Sequence, residues 1–366
     1  MLVGDITKAI EDFAPLHLAE EWDNSGLQVG SLTNEVERVL LSLDVTERTI
    51  EKAIDNKCEL IITHHPLLFN PISSIDLSTK KGKLIEKLIK ANINVYSVHT
   101  NLDLTSEGVS DTLADIIGVK NTKVLKSITD DYLYKIVVFV PRTHERDILK
   151  ALSTSGAGFI GNYSDCSFSS IGIGRFKPLE GSNSFIGQLN EVEEVEEVKI
   201  EAIVTKKILH KAIDEVKKAH PYEEVALDII KLENPNEQYG YGRVGDIDPI
   251  SFNEVTDMIK SRLGTQNLIV YGKKDIQIRR IAVCGGSGSD FIVDAKKENV
   301  DLYLTADIKY HDSQLAKELD MILIDAGHFY TEKPVLNKLV EVINKKLENH
   351  IQCTIFEDPS YSFSIL

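Results

Sequence analysis

Along the first third of the chain, short apolar runs alternate with amphipathic stretches. Residues 38–46 (RVLLSLDVT) read as a buried strand, and 47–57 (ERTIEKAIDNK) as a helix with Ile50, Ala53 and Ile54 at helical spacing. A second strand at 58–66 (CELIITHHP), a helix in KGKLIEKLIKANI and a third strand at 93–103 (INVYSVHTNLD) follow. Such alternation predicts a parallel sheet covered on both faces. The last third repeats the grammar: a strand into a glycine turn (278–288, IRRIAVCGGSG), the helix DFIVDAKKENV and the strand DLYLTADI (301–308). The helix KYHDSQLAKELD, the strand MILIDAGHF (321–329), the helix EKPVLNKLVEVINKKLE and the strand IQCTIFED complete it.

The middle third differs. YKIVVFVP (134–141), the helix ERDILKALSTSG, CSFSSIGIGRFKP (166–178), KIEAIVTKK (199–207), the helix ILHKAIDEVKKA and EVALDIIKLE (224–233) spell β-α-β-β-α-β. That is the order of a ferredoxin-like split βαβ fold. In NEVEEVEEVKIEAIV, Val192, Val195 and Val198 keep helical spacing before Ile200, Ala202 and Val204 alternate, so only the second half is assigned as strand. The stretch 233–246 (ENPNEQYGYGRVGD), with Asn, Pro and glycines at 240, 242 and 245, is the expected linker. The expected fold is α/β: a domain built from 1–128 and 233–366 around mainly parallel sheets, with an α+β ferredoxin-like domain inserted at 129–232.

A length of 366 residues suits about two to three domains, and 42% hydrophobic with 27% charged residues is a globular composition. The net charge of −16 argues against a nucleic-acid surface, which needs clustered cations. Lys206, Lys207, Lys211, Lys217 and Lys218 have the spacing of a solvated helix face. No run of about 18 apolar residues predicts a membrane span, and MLVGDITKAIEDF lacks the layout of a signal peptide. Four cysteines without a CxxC pair fit reduced thiols in the cytoplasm.

In open parallel sheets, ligands bind beyond the carboxyl ends of the strands. Asp44, the pair His64–His65, and His99 through Asp103 follow the first three strands, while Asp307, His311, His328 and Glu332 hold the equivalent places later. Adjacent histidines inside a strand face opposite ways, but at a strand end they can fan toward two ions, and Pro66 keeps that turn extended. Two metals about 3.5–4 Å apart, bridged by a carboxylate, suit such a fork, and Asp103 and Glu332 are the carboxylates at hand. Glu332 is expected in the first turn of a helix, where the macrodipole favours negative charge. Three imidazoles and two carboxylates suit zinc, iron, manganese or cobalt.

Each motif also has a plainer reading. HH alone is a loop or cap, HTNLD a turn held by Asn101 and Asp103, and GHFYTEKP a helix start capped by Thr331. Their coincidence at strand ends favours a shared site. His17, His144, His210, His220 and His350 lack such partners and read as structural or solvated. CGGSGSD (284–290) has Phe291 where a dinucleotide fingerprint needs its third glycine, so it reads as a tight turn. WDNSGLQVG (22–30) reads as a turn beside a packing tryptophan, or as a loop overhanging a pocket.

Taken together, WDNSGLQVG, THHPLLF, HTNLD, TADIKYHD and GHFYTEKP resemble the Ngg-interacting-factor-three-like family, whose bacterial members carry the label GTP cyclohydrolase 1 type 2 homologue. The middle third, above all AHPYEEVALDIIKLE (219–233), resembles the PII-like and CutA-like domain inserted in longer members. The resemblance implies a two-metal centre held by His64, His65, Asp103, His328 and Glu332, zinc being the first expectation. It places His99 and His311 beside the metals, supporting the ligands or acting as acid/base groups. It also implies a toroidal homohexamer acting on an unknown small molecule, without nucleic acid or membrane.

Two functions follow as expectations. One is a metal-dependent hydrolase using activated water on a cyclohydrolase-like, phosphoester or nucleotide substrate, with His99 or His311 as acid or base. The other is a non-catalytic metal-binding or ligand-sensing assembly hub.

Overall fold

A computed structural model of the chain describes residues 1–127, 132–160, 163–235, 239–272 and 275–358. The chain divides into two units, Met1–Ser127 with Glu237–Leu366, and Ile128–Asn236.

The first unit holds two mixed sheets. One runs in the order Gly26–Val29, Asn94–Ser97, Leu60–Thr63, Arg38–Ser42, Gln352–Ile355, parallel except for its first pair. Its central strands are buried on both faces. Val39, Leu41, Leu60 and Ile62 pack with the helices Val3–Phe13 and Val335–Lys346, while Leu40, Ile61 and Val95 pack with Glu47–Asp55 and Lys80–Lys90. A continuous apolar run is what such double burial requires. Gln352–Ile355 joins this sheet in parallel beside Arg38–Ser42, which ties the two outer thirds together.

The second sheet runs Ile269–Tyr271, Ile322–Asp325, Leu302–Ala306, Gln277–Ser287, Gly240–Ser251, Lys120–Ser127. Only its Gln277–Ser287, Leu302–Ala306 and Ile322–Asp325 strands are mutually parallel. The expectation of mainly parallel sheets therefore holds for the first sheet and fails for the second, where three of the five pairings are antiparallel.

The expected linker is corrected in extent: the boundary between the two units, Asn236 to Glu237, falls inside 233–246, but strands take up most of that stretch. Of 233–246, residues 236–238 lie outside the described residues, and Gly240–Ser251 is a strand paired on both sides. Its glycines admit close packing rather than freedom. A Cβ at Gly245 would stand 2.3 Å from the Lys120 carbonyl oxygen.

In the second unit the order is strand Tyr132–Pro141, helix Glu145–Ser155, strands Ser167–Phe176 and Glu193–Val204, helix Lys206–Ala219 and strand Leu227–Pro235. The ambiguous run near Val195 is strand from Glu193 onward. The antiparallel sheet is ordered Ser167–Phe176, Glu193–Val204, Tyr132–Pro141, Leu227–Pro235. Both helices close one core with Ile136, Val138, Val198 and Ile200.

Candidate metal centre

The carboxyl ends of both sheets in the first unit bring the chemistry together. His64 follows directly on Leu60–Thr63 and is fully buried. Its Nδ1 donates to the Val98 carbonyl at 2.8 Å; since a carbonyl only accepts, Nδ1 carries a proton. His65 Nδ1 lies 2.9 Å from Asp44 Oδ1, His328 Nδ1 2.7 Å from Asp307 Oδ2, and His99 Nδ1 2.7 Å from Asp23 Oδ1. All four rings are anchored through Nδ1. Such anchoring fixes the tautomer of metal-ligating histidines and leaves Nε2 to bind.

The free edges of three rings meet at Glu332. Its Oε1 is 2.9 Å from His328 Nε2 and 3.6 Å from His64 Nε2, and its Oε2 is 3.0 Å from His65 Nε2. His65 and His328 bring their Nε2 atoms within 3.3 Å, and Asp103 Oδ1 stands 3.5 Å from His64 Nε2. Two triads each have ligand atoms within 4.8 Å: His64, His65 and His99, and His65, His328 and Glu332. All five expected ligands thus share one neighbourhood, with His99 beside them. His311 is not brought there: it is exposed, and its Nδ1 faces Gln314 Oε1 at 3.0 Å.

Local structure explains the convergence. His328 and Glu332 are four residues apart on the short helix His328–Glu332, hence on one face. The helix begins at His328 rather than after Thr331, so Glu332 closes it instead of opening it. Thr331 instead accepts from the Gly286 amide through Oγ1 at 3.0 Å. Gly286 has φ of 63°, and a Cβ there would lie 2.2 Å from Glu332 Oε1. The glycine turn is therefore part of the site's wall. Asp103 is carried by the helix Thr100–Leu104, where a turn or strand end was expected.

The electrostatics favour positive charge. Burial pulls His65 and His328 down, but the Glu332 carboxylate and the hydrogen bonds to Asp44 and Asp307 outweigh it, raising them to about 10 and about 11. Burial would raise Glu332, yet His65, His328 and His64 hold it well below the usual carboxylate range. At Asp103 burial prevails over the attraction of His64, and the carboxyl is raised. Among the described residues, His64 Nε2 and Glu332 Oε2 are buried without a hydrogen-bond partner; the 3.0 Å approach of Oε2 to His65 lacks hydrogen-bond alignment. Leaving such atoms unpaired costs about 1–3 kcal/mol each, and more when charged. A divalent cation would satisfy both atoms, and the nitrogen and oxygen donors suit zinc, iron, manganese or cobalt.

A cleft of about 410 Å³ opens over this group, lined by Glu20, Trp22, His99, Tyr241 and Phe291 together with Asp103, His328 and Glu332. Asp23 was not foreseen as a site residue. It accepts from Ser25 and Thr100 as well as from His99, and it is 76 residues from His99 in sequence, beyond any local spacing rule. Glu20 and Tyr241, joined at 2.8 Å, were likewise missed. The WDNSG stretch proves to be the rim of a pocket, with Trp22 largely exposed.

The family described as Duf34/NIF3 (NGG1p interacting factor 3) matches residues 1–360. The chain is 41% identical over 345 residues to a Halalkalibacterium halodurans protein called GTP cyclohydrolase 1 type 2 homolog, covering 94% of this chain and 92% of that one. It is 39% identical over 346 residues to the Bacillus subtilis protein of the same name, covering 93% and 92%. In structure it is similar to a Bacillus cereus protein related to NIF3, with a TM-score of 0.91, 38% identity and coverage of 100% and 99%. A Staphylococcus aureus protein matches with a TM-score of 0.79 and 29% identity over 100% and 99% of the two chains.

Proposed function

The chain belongs to the Duf34/NIF3 family, and on that premise we propose that it is a metal-dependent hydrolase built on a dinuclear divalent-metal centre, with zinc the first candidate ion. One observation carries this reading: His64 Nε2 and Glu332 Oε2 are buried and unpaired amid imidazoles whose Nδ1 atoms are all anchored. His64, His65, Asp103, His328 and Glu332 are the proposed ligands, with Glu332 between the two halves of the set. When bound, the ions supply Lewis acidity and an acidified water.

The chain's own residues do the rest. Asp44 and Asp307 keep His65 and His328 in the ligating tautomer. Asp23 orients His99, whose other ring nitrogen is available to take or give a proton in the cleft. His311, exposed beside Gln314, has no part in this assignment. The relatives' printed name suggests a cyclohydrolase-like reaction, and a phosphoester is the other substrate class this chemistry serves. Four free thiols accord with a cytoplasmic protein, and among the described residues no helix is long and apolar enough to cross a membrane.

We assign the metal site to 1–128 and 233–366 and read 129–232 as a ferredoxin-like assembly domain of a toroidal homohexamer. Its edge strand Ser167–Phe176 supports this, because Phe168, Ile171 and Ile173 are exposed along an unpaired edge. Such an edge is a template for another chain. Stripping the metal and adding back zinc, with GTP ring opening and phosphoester cleavage followed in parallel, tests the hydrolase. Hydrolysis that appears with metal supports it. No turnover on either substrate class with the ions bound would favour a non-catalytic metal-binding hub.

A further inference from the structure

The inserted unit holds a histidine whose two ring nitrogens are both engaged by the backbone. His220 is buried at the C-terminal end of the helix Lys206–Ala219, in the stretch AHPYEEV. Its Nε2 lies 2.9 Å from the Phe139 carbonyl, which only accepts, so Nε2 carries a proton. The Tyr222 amide, which only donates, meets Nδ1 at 3.1 Å, so Nδ1 is bare. The place fits the neutral ring. A second proton would sit on Nδ1 and face the Tyr222 N–H.

A loop rests on Tyr222. Its hydroxyl donates to Glu197 Oε1 at 3.0 Å, and its ring meets Phe176 and Phe185 with centroids 5.7 and 6.3 Å apart. Beside it, Glu223 accepts from the Asn183 amide at 2.8 Å. Phe176 ends the edge strand Ser167–Phe176, and Asn183 and Phe185 belong to the loop 177–192 that follows. Gly174 leaves room for the Glu197 carboxylate, since a Cβ there would stand 2.1 Å from its Oε2.

Burial opposes the charged form of His220 most. The Phe139 carbonyl and Glu197, on the strand Glu193–Val204, favour that form, and His144, from the turn Arg142–His144, opposes it. On its own helix, Lys217 and Lys218 are exposed. The balance lowers the pKa of the ring.

We propose that His220 is an acid-sensitive latch: neutral, it holds the Tyr222 turn and the loop 177–192 on the sheet, and protonated, it releases them. The inference is independent of the metal reading. The closed form has its full stability above the ordinary histidine value of about 6.5 and loses it as the pH falls below, because the released ring takes up the proton more readily.

Hydrogen exchange read by mass spectrometry, on the full chain between about pH 7.5 and pH 5 and corrected for intrinsic rates, follows residues 219–226 and 177–192. Exchange there is expected to quicken at least about fivefold across that range, while the helix Glu145–Ser155 keeps its protection. His220→Asn keeps an acceptor for the Tyr222 amide without a titrating ring, and the acid step should disappear. Glu197→Gln still accepts from Tyr222 but no longer favours the charged ring, so the midpoint should move to lower pH. Exchange that ignores pH in the wild type, or an acid step that persists in His220→Asn, would overturn the proposal. So would a step shared by Glu145–Ser155, which would be acid unfolding of the whole unit. Should His220→Asn fail to fold, the wild type and Glu197→Gln decide, and a midpoint that Glu197→Gln leaves in place overturns the latch.

Discussion

The cleft of the first unit and the sheet of the inserted unit break the usual rules of burial in opposite directions. In the cleft, polar atoms are buried without partners: His64 Nε2 and Glu332 Oε2 sit among anchored imidazoles. In the inserted unit, the interior is filled by Val138, Val198, Ile200 and Val216, and the anomaly lies outside, where Phe168, Ile171 and Ile173 face solvent along an edge strand. A buried polar atom lacking a partner calls for an ion; an exposed apolar edge calls for a chain. On the reading proposed above, the two anomalies suit the two units to different work.

The sharpest way to break this comparison is at Glu332. Glu332→Gln should lower metal affinity by more than about a hundredfold, because the acid stands between three imidazoles. Competition with a chromophoric chelator measures it, and an unchanged affinity would remove Glu332 from the site. In the inserted unit, Ile200→Ala should destabilise by about 2–4 kcal/mol in denaturant melts, since the side chain is fully buried. Metal content should stay as in the wild type; a loss would mean that the two units do not divide the work.

Asp307→Asn is milder. The ring of His328 stays in place but loses its carboxylate, and affinity should fall about 10- to 100-fold. Proton competition gives a related effect. His65 and His328, raised to about 10 and about 11, hold protons at neutral pH, and metal uptake must displace them. Affinity should therefore rise with pH, by about tenfold or more between about pH 6 and pH 8. A flat profile would show that these rings are not ligands. At the small end, His311→Ala should change affinity by less than about threefold, as expected of an exposed side chain on a helix.

The proposed ligand set was legible in the sequence because each member lies at or just past a strand end, and strand ends are readable from apolar runs. His64 and His65 stand directly after LIIT, and His328 and Glu332 bound the short helix that follows ILID. What was hidden depends on long-range contact. Asp23 reaches His99 across 76 residues, and Tyr241 reaches Glu20 across 221. The glycines near 240 misled for a physical reason: glycine marks close approach as well as flexibility, and here Gly245 packs against Lys120. Thr331 misled because a short helix begins one turn before the apparent cap.

The central claim is that both outer thirds hold one metal site. Metals per chain, by elemental analysis of wild type and His328→Ala purified side by side without chelator and offered zinc or manganese, tests it most directly. About two ions per chain, falling clearly in the variant, is the predicted result. Near-zero metal in both proteins, or equal loading of the two, would contradict it.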